Sequence, residues 1–135
     1  MKLLLDTQCW LWWLTDPDLL SGSALEAIRA AENDVYLSAA SSWEISIKWA
    51  IKKLSLPKRP SEFVPSRLAR DGFLSLPIEH VHALRVSELP LHHRDPFDRI
   101  LIAQAQIEHL AFVTSDPLIR KYDVELLFVD RAPRK

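Results

Sequence analysis

Short apolar runs separated by stretches of helical periodicity constrain this chain more than any other feature. Leu3-Leu4-Leu5, Val35-Tyr36-Leu37, Ala111-Phe112-Val113 and Leu126-Leu127-Phe128-Val129 are each bounded by polar or turn residues, as strands buried on both faces should be. Phe73-Leu74-Ser75-Leu76 is a weaker fifth. Helical patterns fall between them, at 7–15, 23–32, 41–54, 61–71, 79–88 and 97–109. Alternating strands and helices predict an α/β fold: a parallel sheet of four to five strands with helices on both faces, hence three layers. In the 41–54 helix, Trp43, Ile47, Ala50 and Leu54 recur at steps of four, three and four, which predicts an apolar face, with Glu44 and Lys48 beside it. In the last helix Leu101 and Ala105 continue a stripe that begins at Asp98, so that acid is expected on the packed side. The stretch from Leu56 to Pro65 reads as an interhelix connection.

With 135 residues, 48% of them hydrophobic, the chain can bury a core as one domain, 1–135, without cross-links. Its single cysteine, Cys9, forms no internal disulfide, which fits a reducing compartment and predicts a cytoplasmic protein. The apolar run at the start is too short for a signal peptide, and no stretch is long enough to span a membrane. Only Gly22 and Gly72 are glycines, so phosphate loops of the Rossmann or P-loop type are excluded. The formal charge is −1, and a polyanion would have to be held by a local basic patch or by bound metal.

Four acids are expected to share one rim. Asp6 follows the first strand and Asp116 follows the Ala111-Phe112-Val113 run, where open α/β sheets place their ligands. Glu44 and Asp98 begin helices, whose N-termini lie at the same edge in right-handed βαβ units. Carboxylates brought within about 4 Å repel by about 4 kcal/mol per pair at an effective dielectric of 20. Protons or a hard divalent cation would offset that repulsion. An all-carboxylate set favours Mg²⁺ or Mn²⁺ over Zn²⁺, and its natural chemistry is phosphodiester hydrolysis. The same residues also fit local roles. Asp95-Pro96-Phe97-Asp98 and Asp116-Pro117 read as helix caps followed by proline, and Glu44 could complement a helix dipole or pair with Lys48.

The phrases DTQCWLWWL, SAASSWEISIKWAIKKLSLP, HHRDPFDRILIAQA and FVTSD, in that order and spacing, resemble the PIN-domain family, and more closely its VapC-type toxins from bacterial and archaeal toxin–antitoxin pairs. The resemblance runs from Lys2 to about Val129. It implies a PIN-like three-layer fold and a Mg²⁺-dependent endoribonuclease in which Mn²⁺ can substitute. It also implies a homodimer inhibited by a small cognate antitoxin protein. Matched by motif, Asp6, Glu44 and Asp98 are the first three acids of the site and Asp116 the fourth, with Asp95 as an alternative ligand beside Asp98. A receiver-like phosphoacceptor module fits poorly, because the third strand candidate offers Ser75 where an acid would be required.

Around the acids, Thr7 and Ser42 carry hydroxyls that could orient carboxylates or cap helices. Lys48 and Lys52 share the face of Glu44 and could guide RNA phosphates. Arg94 and Arg99 flank the acidic turn and are expected to contact phosphate, Arg99 the scissile one. Trp10, Trp12 and Trp13 are expected to pack in the core or at a dimer interface. His92 and His93 read as loop histidines, since no third ligand stands at zinc spacing.

Overall fold

A computed structural model of the chain describes residues 1–130; the last five positions of the expected domain, 131–135, lie outside the described residues. The apolar runs form β1 (Lys2–Leu5), β2 (Asp34–Ser38), β3 (Leu74–Leu76), β4 (Ala111–Thr114) and β5 (Leu126–Phe128). All pairings are parallel, in the order β3-β2-β1-β4-β5. The weak fifth run is therefore a real edge strand. In the centre, Leu4 of β1 pairs with Tyr36 on one side and Phe112 on the other. Leu3, Leu4 and Leu5 are fully buried, each contributing about 1.5–3 kcal/mol. Successive side chains alternate faces, so Leu3 and Leu5 enter one core with Trp10, Ile28 and Phe63, while Leu4 enters the other with Leu101, Phe112 and Ile119. The result is the expected three-layer α/β/α sandwich.

The helices are α1 (Thr7–Thr15), α2 (Gly22–Arg29), α3 (Ala39–Ala50), α4 (Pro60–Asp71), α5 (His80–Arg85) and α6 (Pro96–Glu108). Several boundaries differ from expectation; the 23–32 helix, for one, spans Gly22–Arg29. The 79–88 helix stops at Arg85 and continues as a 3-10 turn, Val86–Glu88. The stretch expected to be connection contributes the start of α4, with Pro60 in its first turn and Pro65 inside it. Helix α3 closes at Ala50 because Lys52 adopts φ 61°, and the N–H of Lys53 returns to the Lys48 carbonyl at 2.8 Å. The end of α4 is built the same way, with Gly72 at φ 68° and the Phe73 N–H on the Leu68 carbonyl. Glycine takes this left-handed position readily; lysine does so at a cost of about 1–2 kcal/mol.

The expected apolar face of α3 is corrected. Trp43 is 59% and Ile47 38% exposed, and Ala50 is exposed as well, whereas Ala40, Ser41, Glu44 and Ile45 are buried. The small residues Ala40 and Ser41 let α3 approach the sheet and α6 closely, so the inward face is the one that carries Glu44. The tryptophans of α1 pack as expected: Trp10 is fully buried edge-on to Phe63, and Trp13 lies against Phe73 with its indole N–H donating to Asp71. Among the described residues, no helix is long and apolar enough to cross a membrane.

Candidate active site

The chain winds outward from β1 to β2 and β3, then resumes on the other side with β4 and β5. The carboxyl ends of β1 and β4 thus form the switch point at which open α/β sheets leave a crevice. A cavity of about 200 Å³ lies there, lined by Asp6, Glu44, Lys48, Asp95, Asp98 and Asp116 among others. All four expected acids meet, and the alternative Asp95 joins them.

Each acid has its own support. Asp6 follows β1, and its Oδ1 accepts from the Gln8 N–H, so it also caps α1. Glu44 lies in the second turn of α3, past the reach of the helix dipole; it is buried, and Lys48 Nζ stands 2.6 Å from its Oε2. In the DPFD turn the two acids divide the work. Asp95 Oδ1 caps α6, accepting from the Phe97 N–H at 2.8 Å and the Asp98 N–H at 3.4 Å. Asp98, three residues on, is mostly buried and carries no cap. Asp116 Oδ1 accepts from the Leu118 N–H and caps the turn after β4. Capping and site membership therefore coexist at Asp6, Asp95 and Asp116, because helix N-termini crowd the rim that the strands point to.

The electrostatics follow from this crowding. Burial raises the Asp6 carboxyl above its ordinary range, against the lowering effect of hydrogen bonds from Thr114 and Gln8. Burial, then the neighbouring carboxylates Asp6, Asp95, Glu44 and Asp116, push Asp98 up to about 8. Lys48 is held more firmly protonated by its hydrogen bond to Glu44. Five carboxyl groups face one ammonium in the cavity, and their crowding is relieved either by bound protons or by a cation. An oxygen-rich, anionic donor set of this kind fits a hard divalent cation.

Two contributors escaped the sequence reading. Thr114, the last residue of β4, is fully buried; its hydroxyl donates to Asp6 Oδ2 at 2.7 Å and accepts from the Asp116 N–H. His93, read as a loop residue, places Nε2 2.7 Å from Asp116 Oδ2 and 3.0 Å from Asp98 Oδ2. The repeated phosphate-binding signal of Arg94 and Arg99 also divides. Arg94 is exposed. Arg99 is buried, and the expectation that it touches phosphate is corrected: its guanidinium donates to the carbonyls of Pro90, His93, Val86 and Leu89 and to the Tyr122 hydroxyl. Thr7 borders the cavity, with its hydroxyl donating to Ser41 rather than to a carboxylate. Ser42 lines a separate cavity.

Comparison with known proteins agrees with this architecture. Ribonuclease VapC16 of Mycobacterium tuberculosis is 37% identical over 67 residues, which cover 47% of this chain and 48% of the relative, so the chain spans about half of that protein's length. The crystal structure of VapBC2 from Rickettsia felis bound to a promoter DNA fragment superposes with a TM-score of 0.73 at 16% identity, covering 96% of this chain and 100% of the other. DNA-bound VapBC from Salmonella typhimurium gives 0.65 at 15% identity, covering 93% and 96%. Likeness at such identities concerns the fold. The PIN domain model matches residues 3–125, a span that contains Asp6, Glu44, Asp98 and Asp116, and the chain belongs to the PIN domain family.

Proposed function

We propose that this chain is a single-domain, metal-dependent endoribonuclease and the toxin of a type II toxin–antitoxin pair. The observation that carries the reading is the convergence of Asp6, Glu44, Asp98 and Asp116 on one anionic cavity at the β1/β4 switch point. The name of the mycobacterial relative and the titles of the structural neighbours point the same way.

In this reading Asp6, Glu44 and Asp98 hold Mg²⁺, for which Mn²⁺ can substitute, and Asp116 completes the site or positions water. When bound, the cation lowers the pKa of water and stabilises charge on the phosphodiester oxygens. The protein's own part is to gather and aim the carboxylates, whose burial and crowding favour protons until a cation displaces them. Thr114 fixes Asp6, and Lys48 neutralises part of the charge on Glu44 while remaining half exposed at the rim. Lys48 and the exposed Arg94 are the groups best placed to meet an RNA phosphate; Thr7 contributes through the cavity wall.

Two apolar surfaces support the partners in this reading. A groove of about 490 Å³ lined by Leu11, Trp12, Leu56, Phe63 and Arg67 suits an amphipathic antitoxin segment. The exposed stripe of Trp43, Ile47 and Ala50 on α3 suits a second copy of the chain, making a homodimer. The lone, buried Cys9 accords with a cytoplasmic location.

The deciding assay incubates purified, antitoxin-free protein with structured RNAs in Mg²⁺, Mn²⁺ or EDTA. Cleavage with either metal, abolished by EDTA and lost in Asp6→Asn, is expected. Equal cleavage by wild type and Asp6→Asn would sink the assignment.

A further inference from the structure

The loop before α6 is tied down more tightly than its exposed residues require. Buried Arg99 gathers the carbonyls of Leu89, Pro90 and His93, and the Tyr122 hydroxyl accepts the backbone N–H groups of His92 and His93 at 3.1 and 2.8 Å. A charged side chain from α6 and a phenol from the segment after β4 thus hold one short loop from within. What the loop delivers to the cavity is the imidazole of His93.

That ring has a definite tautomer. Its Nδ1 lies 3.1 Å from the Asp95 N–H, a group that can only donate, so Nδ1 carries a lone pair and the ring proton of the neutral imidazole resides on Nε2. Nε2 faces Asp116 Oδ2 and Asp98 Oδ2 together. A nitrogen that carries a proton donates a hydrogen bond and does not ligate a metal. We infer that His93 is a positioning residue of the metal site, whose Nε2–H spans Asp98 and Asp116 and holds both carboxylates in the arrangement that receives the cation.

The inference rests on the metal-dependent reading given above and adds to it a group outside the four acids. It also explains the loop anchoring. A donor that must reach two carboxylates from different elements, α6 and the turn after β4, works only if its backbone does not wander, and Arg99 and Tyr122 supply that restraint. Asp95 takes on a second task as well: its side chain caps α6 while its N–H sets the tautomer of His93. The alternative, direct ligation through Nε2, would require the proton to move to Nδ1 and the bond from the Asp95 N–H to be lost.

Mn²⁺ binding, followed by electron paramagnetic resonance without RNA, separates these possibilities. His93→Ala is expected to weaken Mn²⁺ about 10–100-fold, the usual cost of losing an outer-shell partner. His93→Gln, which returns an N–H donor near the Nε2 position, is expected to recover most of that affinity. Pulsed measurements should show no directly bonded histidine nitrogen, and ¹⁵N spectra of the Mg²⁺-loaded wild type should show the Nε2–H tautomer of His93 without recourse to any variant. Wild-type Mn²⁺ affinity in His93→Ala, a directly bonded nitrogen, or the Nδ1–H tautomer would each overturn the inference. Asp6→Asn serves as the reference: if it alone loses Mn²⁺ while His93→Ala binds normally, the role of His93 fails and the nuclease reading stands.

Discussion

Thr114 donates its hydroxyl to Asp6 Oδ2 at 2.7 Å across 108 positions of sequence, joining the carboxyl ends of the two strands that frame the cavity. The bond satisfies one oxygen of a buried carboxylate and fixes its rotation. Thr114→Val keeps the shape and removes the hydroxyl, leaving Asp6 Oδ2 and the Asp116 N–H without their Thr114 bonds while the Gln8 bond to Oδ1 remains. Mn²⁺ affinity measured by calorimetry is expected to fall about 10–100-fold, with the strand pairing intact by circular dichroism. Unchanged affinity would show that Asp6 is oriented by other means.

The crowding of carboxylates has a pH signature. Asp98 titrates at about 8 in the folded chain, against an ordinary value of 3.8. Between those values the native state binds more proton than the unfolded one, so this group's contribution to stability is full below about pH 4 and is lost as pH rises toward 8. Asp6, also raised, acts in the same direction. Urea midpoints of the metal-free protein at pH 5 and pH 8 should fall more steeply for wild type than for Asp98→Asn. Mg²⁺, competing with those protons, should stabilise wild type more at pH 8 than at pH 5. Parallel pH slopes for the two proteins would contradict this.

Arg99 stabilises the protein rather than the substrate. Replacing it with Met would leave the buried Leu89 carbonyl and the partly buried carbonyls of Val86, Pro90 and His93 without this donor, and hydrogen bonds to a charged group are worth about 1.5–3 kcal/mol each. A loss of about 3 kcal/mol is expected in urea unfolding, the size of one to two such bonds. If Arg99→Met unfolds like wild type and only weakens RNA binding, the structural role assigned to it is wrong.

Lys52 offers the opposite test. Its φ of 61° at the end of α3 is a conformation that glycine adopts without strain. Lys52→Gly is expected to stabilise the protein by about 0.5–1 kcal/mol, read as a higher urea midpoint with an unchanged slope. Destabilisation would mean that the lysine side chain contributes more than its backbone costs.

How much of this was legible in the chain can be judged residue by residue. Leu3-Leu4-Leu5 declared a strand buried on both faces, because neither face offered water a polar group. Asp6 and Asp116, directly after strand runs, declared their edge, because parallel connections leave only one rim for ligands. By contrast, the 3.6-residue period of α3 marked Trp43, Ile47 and Ala50 as one stripe but not which way it faced. Direction depended on Ala40 and Ser41 being small enough to fit against neighbouring elements, which no local pattern encodes.

By itself, then, the sequence determined the strand–helix alternation, the all-parallel sheet and the convergence of the acids, since these follow from side-chain periodicity and the handedness of connections. Only the tertiary structure decided the polar partnerships. Thr114 with Asp6, His93 with Asp98 and Asp116, and Arg99 with the loop carbonyls each join a side chain of one element to a group outside it. A buried polar group takes whichever partner packing brings within about 3 Å, and that proximity exists only once the layers have closed.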